Sequence, residues 1–291
     1  MARYYLITDL DNTLYNWVDF FAPSFRGAVH ALHKATGISE DLISHSFREV
    51  FQERGSLEYP AQARELAIFA NTSQTELEAL NRVIFGSFNR VFNATLRLYD
   101  GALECLNWCY GNRIPVIALT NAPLSLARRR LIHLGVNKYF KALAAPRSFE
   151  QGERSSRIEP NLALFPEDED PSRRRLDDRL NCIYELSDSE MKPSPAGFER
   201  IMSDLMRQDS SAFAIGDSLL KDLAPAHKLG AVTIWAKFGT KVDLNNMQTL
   251  YGITPWSAKQ IETAYCSKFE PDYTAESWQD VTGFLKRSVG I

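Results

Sequence analysis

Acidic residues stand directly after the first apolar run of the chain, where a strand would end. Residues 4–8 are Tyr-Tyr-Leu-Ile-Thr, and Asp9 and Asp11 follow them. A carboxylate with an ordinary pKa of about 3.9 is ionised at neutral pH and can act as a nucleophile without a base. A second carboxyl group in a different environment can protonate a leaving alkoxide and later accept a proton from water. Asp9 is therefore the candidate nucleophile, and Asp11 is the candidate acid/base.

Polar side chains also follow later apolar runs or open a later helix. They stand after residues 117–119, before a helical segment that begins near residue 194, and after residues 213–216. Because ligands of open parallel sheets bind at the carboxyl ends of the strands, we expect these groups to converge with Asp9 at one rim. The residues are Thr120, Asn121, Lys192, Asp217, Ser218 and Asp222.

The charges expected at this rim call for a cation. Without one, Asp9 and Asp217 would repel each other and a dianionic phosphate substrate. Magnesium prefers a few carboxylate oxygens, keeps some water and accepts a phosphate oxygen as a further ligand. Lys192 and Thr120 would hold the equatorial phosphate oxygens as charge shifts in a loose transition state. The set of side chains therefore predicts magnesium-assisted phosphoryl transfer.

Four short motifs resemble those of the haloacid dehalogenase (HAD) superfamily and occur in that family's order. They are Asp9–Leu14 (DLDNTL), Thr120-Asn121, Lys192-Pro193 and Gly216–Asp222 (GDSLLKD). The resemblance implies a Rossmann-like core, a helical cap of the type-one class and a phosphoryl group carried on an aspartate. It covers residues 3–20, 98–146, 188–237 and 268–290, while the cap matches by position alone.

The same resemblance implies a role for each motif residue. An aspartate at the position of Asp11 goes with phosphatases and phosphomutases, whereas dehalogenases carry another residue there. The string from Asp9 to Tyr15 (DLDNTLY) is similar to nucleotidase-like members that act on nucleoside monophosphates. The predicted catalytic residues are Asp9 and Asp11, the phosphate contacts Thr120, Asn121 and Lys192, the Mg²⁺ ligands Asp9, Asp11 and Asp217, and the supporting residues Asp222 and Ser218.

The elements that must position these residues alternate between strand and helix from residue 98 onward. Alternating strands and helices predict a doubly wound parallel sheet covered on both faces, which is an α/β fold. Residue 4 begins the first strand, which joins this sheet across a helical insert. The remaining predicted strands lie at 115–119, near 142, at 212–215 and at 231–235, and the helices at 100–111, 124–134, 257–265 and 277–286.

Two segments interrupt the alternating pattern. Residues 20–96 show helical periodicity, with Phe25, Ala28, Val29 and Leu32 on one face. Blocks of opposite charge before residue 180 predict a solvated loop. The predicted organisation is thus a core at 1–18 and 97–291, an all-helical cap at 19–96, and a charged insertion at 147–187 within the core.

The composition limits the partners of the protein. Its 33 Lys and Arg residues against 36 Asp and Glu residues give a net charge of −3, so no global positive field exists to hold a nucleic acid polymer. The arginine runs at 128–130 and 173–175 are accordingly predicted to be solvated faces. No apolar segment resembling a signal peptide or membrane span opens the chain, so a cytoplasmic location is expected. The expected partners are a small phosphate ester and, in a homodimer, a second copy.

Two other functions are compatible with the sequence, and a third class is disfavoured. A phosphomutase would share the chemistry but return the phosphoryl group to a sugar. A non-catalytic phosphate-sensing or scaffold protein would keep the motifs and use residues 147–187 to contact a partner. A dinucleotide enzyme is disfavoured because the first strand ends in acids, where a glycine-rich pyrophosphate loop would be needed.

Overall fold

A seven-stranded parallel sheet forms the centre of the described residues, which in this computed structural model are 4–149, 182–207, 209–254 and 269–290. The strand order is β4-β3-β2-β1-β5-β6-β7, so the chain order reverses at β1. Such a reversal opens a crevice at the carboxyl ends of the strands. The strands are Tyr4–Thr8 (β1), Val116–Leu119 (β2), Phe140–Pro146 (β3), Cys182–Leu186 (β4), Ser211–Gly216 (β5), Val232–Ala236 (β6) and Tyr273–Ala275 (β7).

Helices cover both faces of the sheet, which confirms the predicted doubly wound α/β class. Successive strand residues point to opposite faces, so Leu6 lies in one buried core while Tyr5 and Ile7 lie in the other. The helices are Trp17–Thr36 (α1), Glu40–Arg54 (α2), Gln74–Thr95 (α3), Ala102–Gly111 (α4), Leu124–His133 (α5), Ala196–Leu205 (α6), Ala224–Lys228 (α7), Leu244–Ile253 (α8) and Trp278–Val289 (α9).

Helices α1 to α3 occupy the segment predicted as a cap. Asn16 caps the first turn of α1 by accepting from the backbone N–H of Asp19, and Gly37 ends the helix with a left-handed φ of 72°. The aromatic rings of α1 and α3 interlock, with Phe20 at 5.3 Å from Phe92, centroid to centroid. The domain boundaries at 18/19 and 96/97 stay a prediction.

Helix α8 packs against α1 and α2 although it lies far along the chain from them. The Arg26 side chain of α1 donates to Thr249 at 2.7 Å and to Asn246 at 2.8 Å. Asn246 in turn donates to Asp19 at 2.9 Å. Helix α8 therefore stabilises the position of α1 and α2 through packing and hydrogen bonds. Among the residues that the structure describes, no helix combines the length and apolar character needed to cross a bilayer.

Strand β4 corrects the predicted extent of the charged insertion. Residues 182–186 were included in the insertion at 147–187, but they pair in parallel with β3 from Ala142 to Pro146. The pattern failed here because β4 is an edge strand in which only Leu186 is buried, so apolar periodicity is weak. The rest of that insertion at 150–181 and the helix predicted at 257–265 lie outside the described residues.

Candidate active site

The loop after β1 is fixed to its neighbours by hydrogen bonds from backbone and side-chain groups. The Asp9 N–H donates to the Ile215 carbonyl at 2.9 Å, which ties the loop to β5. Asn12 adopts a left-handed φ of 55°, and its side-chain oxygen accepts from the Trp17 N–H at 3.0 Å. The Trp278 indole N–H donates to the Thr13 carbonyl at 2.9 Å from α9. Asp9 and Asp11 therefore lie on a turn that is hydrogen-bonded to β5, to the start of α1 and to α9.

Lys192 is a buried cation between two carboxylates. Its Nζ lies 2.6 Å from Asp9 Oδ1 and 2.6 Å from Asp222 Oδ1. The Asn121 side chain holds the lysine backbone, because its Nδ2 donates to the Lys192 carbonyl at 2.6 Å and its Oδ1 accepts from the Lys192 N–H at 2.9 Å. In this structure Asn121 thus positions Lys192, and its predicted contact with phosphate stays a prediction.

Among the described residues, the carboxylates of Asp9, Asp217 and Asp222 form a buried acid cluster, with one oxygen of each lying within 4.8 Å of the others. Asp222 reaches the cluster because Gly216 has no side chain, since a Cβ there would lie 2.3 Å from the Asp222 Cβ. The Ser218 N–H donates to Asp222 Oδ2 at 2.9 Å, while the supporting roles of Ser218 and Asp222 stay predictions. Residues remote in the chain therefore meet at one end of the sheet.

The acid cluster carries more negative charge than its lysine can balance. Desolvation raises the pKa of Asp9 to about 7, with Lys192 lowering it and Asp222 raising it. Desolvation, Asp222 and Asp9 raise the pKa of Asp217 well above its usual range. Burial alone would lower the pKa of Lys192, but the two acids outweigh that effect and keep it protonated. With all three carboxylates ionised, the described cluster and its ammonium would carry two negative charges, which burial disfavours. This set of hard oxygen donors fits a divalent cation that would offset those charges.

Thr120 leaves β2 at the same edge of the sheet. Thr8 of β1 pairs with Ala118 of β2, so Asp9 and Thr120 stand just beyond adjacent strand ends. The buried Thr120 hydroxyl accepts from the Ala122 N–H at 3.1 Å. A hydroxyl that accepts in this way keeps its own proton for a phosphate oxygen.

Asp11 lies outside the acid cluster formed by Asp9, Asp217 and Asp222. Its Oδ1 accepts from Arg130 Nη1 of α5 at 2.9 Å. Burial raises the pKa of Asp11 to about 6, while Arg130 lowers it and Glu58 raises it. This separate environment suits an acid/base residue, whereas the predicted role of Asp11 as a magnesium ligand stays a prediction.

Sequence reasoning missed Arg130, which had been assigned to a solvated face. Its side chain is 4% exposed and pairs with Asp11 on one side and with Glu58 on the other. Successive helical residues are separated by about 100°, so a run of three arginines covers about 200° of the circumference of α5, and a residue at the end of the run can reach the buried side. The neighbouring buried positions Ala127 and Leu131 were the signal that could have placed Arg130 inward.

Family comparison agrees with this geometry. The sequence model of the family described as haloacid dehalogenase-like hydrolase matches residues 5–168. A second family model, described as HAD-hydrolase-like, matches residues 191–253. The chain therefore belongs to the HAD-like hydrolases. A search of curated protein sequences found no significant match.

Solved structures share the fold at low sequence identity. A HAD phosphatase from Thermococcus onnurineus is 16% identical with a TM-score of 0.53, over 98% of each chain. A 2-haloacid dehalogenase from Pseudomonas syringae pv. Tomato DC3000 is 18% identical with a TM-score of 0.51, over 99% of this chain and all of the other. Since a phosphatase and a dehalogenase match alike, the choice of reaction depends on the side chains at the rim and not on the fold.

Proposed function

We propose that this chain is a magnesium-dependent phosphomonoester hydrolase that forms an aspartyl-phosphate on Asp9. The observation that carries the proposal is the position of Asp9, which contacts Lys192 and lies within the acid cluster of excess negative charge. A nucleophilic carboxylate beside a phosphate-binding ammonium and a cation site suits phosphoryl transfer. The substrate class is a small soluble phosphate ester, and the DLDNTLY string favours testing nucleoside monophosphates first.

The acid cluster would hold the metal. Asp9, Asp217 and Asp222 supply the carboxylate oxygens, which lie within 4.8 Å of one another. When bound, Mg²⁺ neutralises the charge that builds on the phosphoryl oxygens. Lys192 and the Thr120 hydroxyl would bind those oxygens from the protein side.

The protein's own residues divide the reaction into two steps. The Asp9 carboxylate forms a bond to phosphorus as the bond from phosphorus to the ester oxygen breaks, and Asp11 gives its proton to that leaving oxygen. Water then attacks phosphorus and passes a proton to Asp11, which releases inorganic phosphate and restores the Asp9 carboxylate. A halide leaving group would need no proton, so an acid at position 11 favours the phosphatase over the dehalogenase reaction.

A panel of phosphate esters assayed with and without Mg²⁺ tests the proposal. We expect wild type to release inorganic phosphate with Mg²⁺, and Asp9→Asn to lose at least roughly 10⁴-fold in kcat because the nucleophile is gone. The exposed Asp100→Asn is the matched control and should retain activity. Equal release by wild type and Asp9→Asn would contradict the nucleophile.

Two other outcomes identify the rival functions. Isomerisation of a hexose phosphate without phosphate release would replace the hydrolase by a phosphomutase. Binding of Mg²⁺ and inorganic phosphate without turnover of any ester would favour a phosphate-sensing protein.

A further inference from the structure

One guanidinium connects the proposed acid/base to the helical cap. Arg130 of α5 donates from Nη1 to Asp11 Oδ1 at 2.9 Å and from Nη2 to Glu58 Oε1. Glu58 lies after α2, within the segment predicted as the cap, and is separated from Arg130 by 72 positions in the chain. The cap segment and the core therefore meet through a charged contact that ends on Asp11.

The surroundings hold this contact in one geometry. The Trp17 indole N–H donates to the same Glu58 Oε1 at 2.7 Å, and the Arg130 guanidinium carbon lies 5.1 Å from the centre of the Phe20 ring. Side-chain exposure is 4% for Arg130 and 10% for Glu58, but 24% for Asp11. Asp11 is thus the member of the group that faces outward, while the other two are enclosed behind it.

A planar guanidinium that donates to two carboxylates fixes direction as well as distance, which a lysine at the same place would not do. Proton transfer requires the acid to lie within hydrogen-bond reach of the leaving oxygen in the correct orientation. The contact with Arg130 therefore restricts the orientation of the Asp11 carboxylate.

We propose that Arg130 is a positioning residue that orients Asp11 for proton transfer to the leaving oxygen, and that Glu58 of the cap segment sets Arg130 for this task. With Oδ1 held by Arg130, Oδ2 carries the proton to the leaving oxygen in the first step and takes one from water in the second. The inference rests on the proposed phosphomonoesterase activity. It predicts that acid catalysis depends on correct seating of the cap segment.

Leaving-group dependence separates this role from a general structural one. In the first step p-nitrophenolate leaves without protonation, whereas an alkoxide needs a proton, so only the alkyl ester requires a well-placed Asp11 in that step. The attack of water in the second step is common to both esters, so the first step is compared through kcat/KM. For Arg130→Met and Arg130→Lys we expect kcat/KM on an alkyl phosphate to fall roughly tenfold to a hundredfold, a part of the 10²–10⁴-fold contribution of an acid/base. With p-nitrophenyl phosphate the fall should stay below about threefold. Glu58→Gln should show the same selectivity with a smaller loss.

Matched controls are available in the chain. Arg129→Met removes the adjacent arginine of α5, which contacts Asn89 at 3.1 Å and the Phe92 ring. Glu65→Gln removes the carboxylate of another arginine pair in the cap segment, with Arg54 at 2.9 Å. Both controls should affect the two substrates equally. If Arg130→Met does not fold, Glu58→Gln/Arg130→Met removes the unpaired acid and gives the same test.

A double-mutant comparison decides the result. In an Asp11→Asn background, Arg130→Met should cost less than about twofold further in kcat/KM on the alkyl ester, because the group it positions is already absent. Equal losses on both esters, or an undiminished loss in the Asp11→Asn background, would overturn the inference. If wild type hydrolyses neither ester, the proposed function itself fails, and that outcome is distinct from both.

Discussion

Two groups of charged side chains flank the loop after β1, and they differ in how their charges balance. In the acid cluster, Lys192 donates hydrogen bonds to Asp9 and Asp222, and Asp217 adds a third carboxylate. In the other group, which we call the Arg130 group, Arg130 donates hydrogen bonds to Asp11 and Glu58. With every carboxylate ionised, the acid cluster would carry two negative charges within the described residues and the Arg130 group one, and Glu58 of the Arg130 group also accepts from an indole N–H.

This difference shows how similar residue types support different tasks. Surplus buried carboxylate charge is costly without a counter-ion, so the acid cluster suits a divalent cation. A carboxylate that accepts a hydrogen bond from one guanidinium is oriented and its charge is partly neutralised, which suits proton transfer. Asp9 and Asp11 are two residues apart in the chain, yet they belong to opposite sides of this comparison.

The largest expected effect separates the two groups at Asp11. Asp11→Asn should lower kcat on alkyl phosphates by roughly 10²–10⁴-fold while Mg²⁺ affinity changes little, because the residue lies outside the acid cluster. Steady-state kinetics and calorimetric Mg²⁺ titration check both parts. A loss of Mg²⁺ affinity as great as that of Asp217→Asn would contradict the acid/base assignment.

The next effect concerns stability in the Arg130 group. Arg130→Met leaves Glu58 buried without its cation, so the free energy of unfolding should fall by about 3–5 kcal/mol. Glu58→Gln/Arg130→Met should recover part of that loss, since the uncompensated charge is removed with it. Urea unfolding followed by circular dichroism measures both variants. A double variant less stable than Arg130→Met would show that the pair does not act as a unit.

Metal binding should respond at the acid cluster. Asp217→Asn is expected to weaken Mg²⁺ binding by more than the roughly 10–100-fold typical of residues that only support a ligand. Asp188→Asn, an exposed acid before Lys192, serves as the control and should bind Mg²⁺ like wild type. Unchanged Mg²⁺ affinity in Asp217→Asn would remove that residue from the proposed metal site.

The smallest expected effect tests the close approach behind Asp222. Gly216→Ala introduces a Cβ 2.3 Å from the Asp222 Cβ, so the acid must shift, at a cost of about 1–3 kcal/mol in unfolding free energy. Mg²⁺ affinity should fall with it. Gly111→Ala is the matched control because no atom lies within 4 Å of its added Cβ. Equal stability of the two variants would mean that Asp222 does not depend on Gly216.

Sequence reasoning predicted the core well because its signals are local. Short apolar runs followed by polar residues marked β1, β2, β5 and β6 to within a residue or two of their observed ends. Parallel strands place their carboxyl ends at one edge, so the convergence of Asp9 and Asp217 was predictable from their positions directly after apolar runs. Edge strand β4 escaped because its exposed positions weaken the period-two pattern.

The order of the motifs, the α/β class and the nucleophile candidate were thus determined by the sequence itself, because periodicity and strand-end placement depend on neighbours in the chain. Helical periodicity could have placed Arg130 inward, but only the tertiary structure decided that Glu58, 72 positions away, completes its contacts. The physical reason is that the contact between Arg130 and Glu58 exists only because the segment after α2 packs against α5. Docking depends on packing between elements, which no local pattern records.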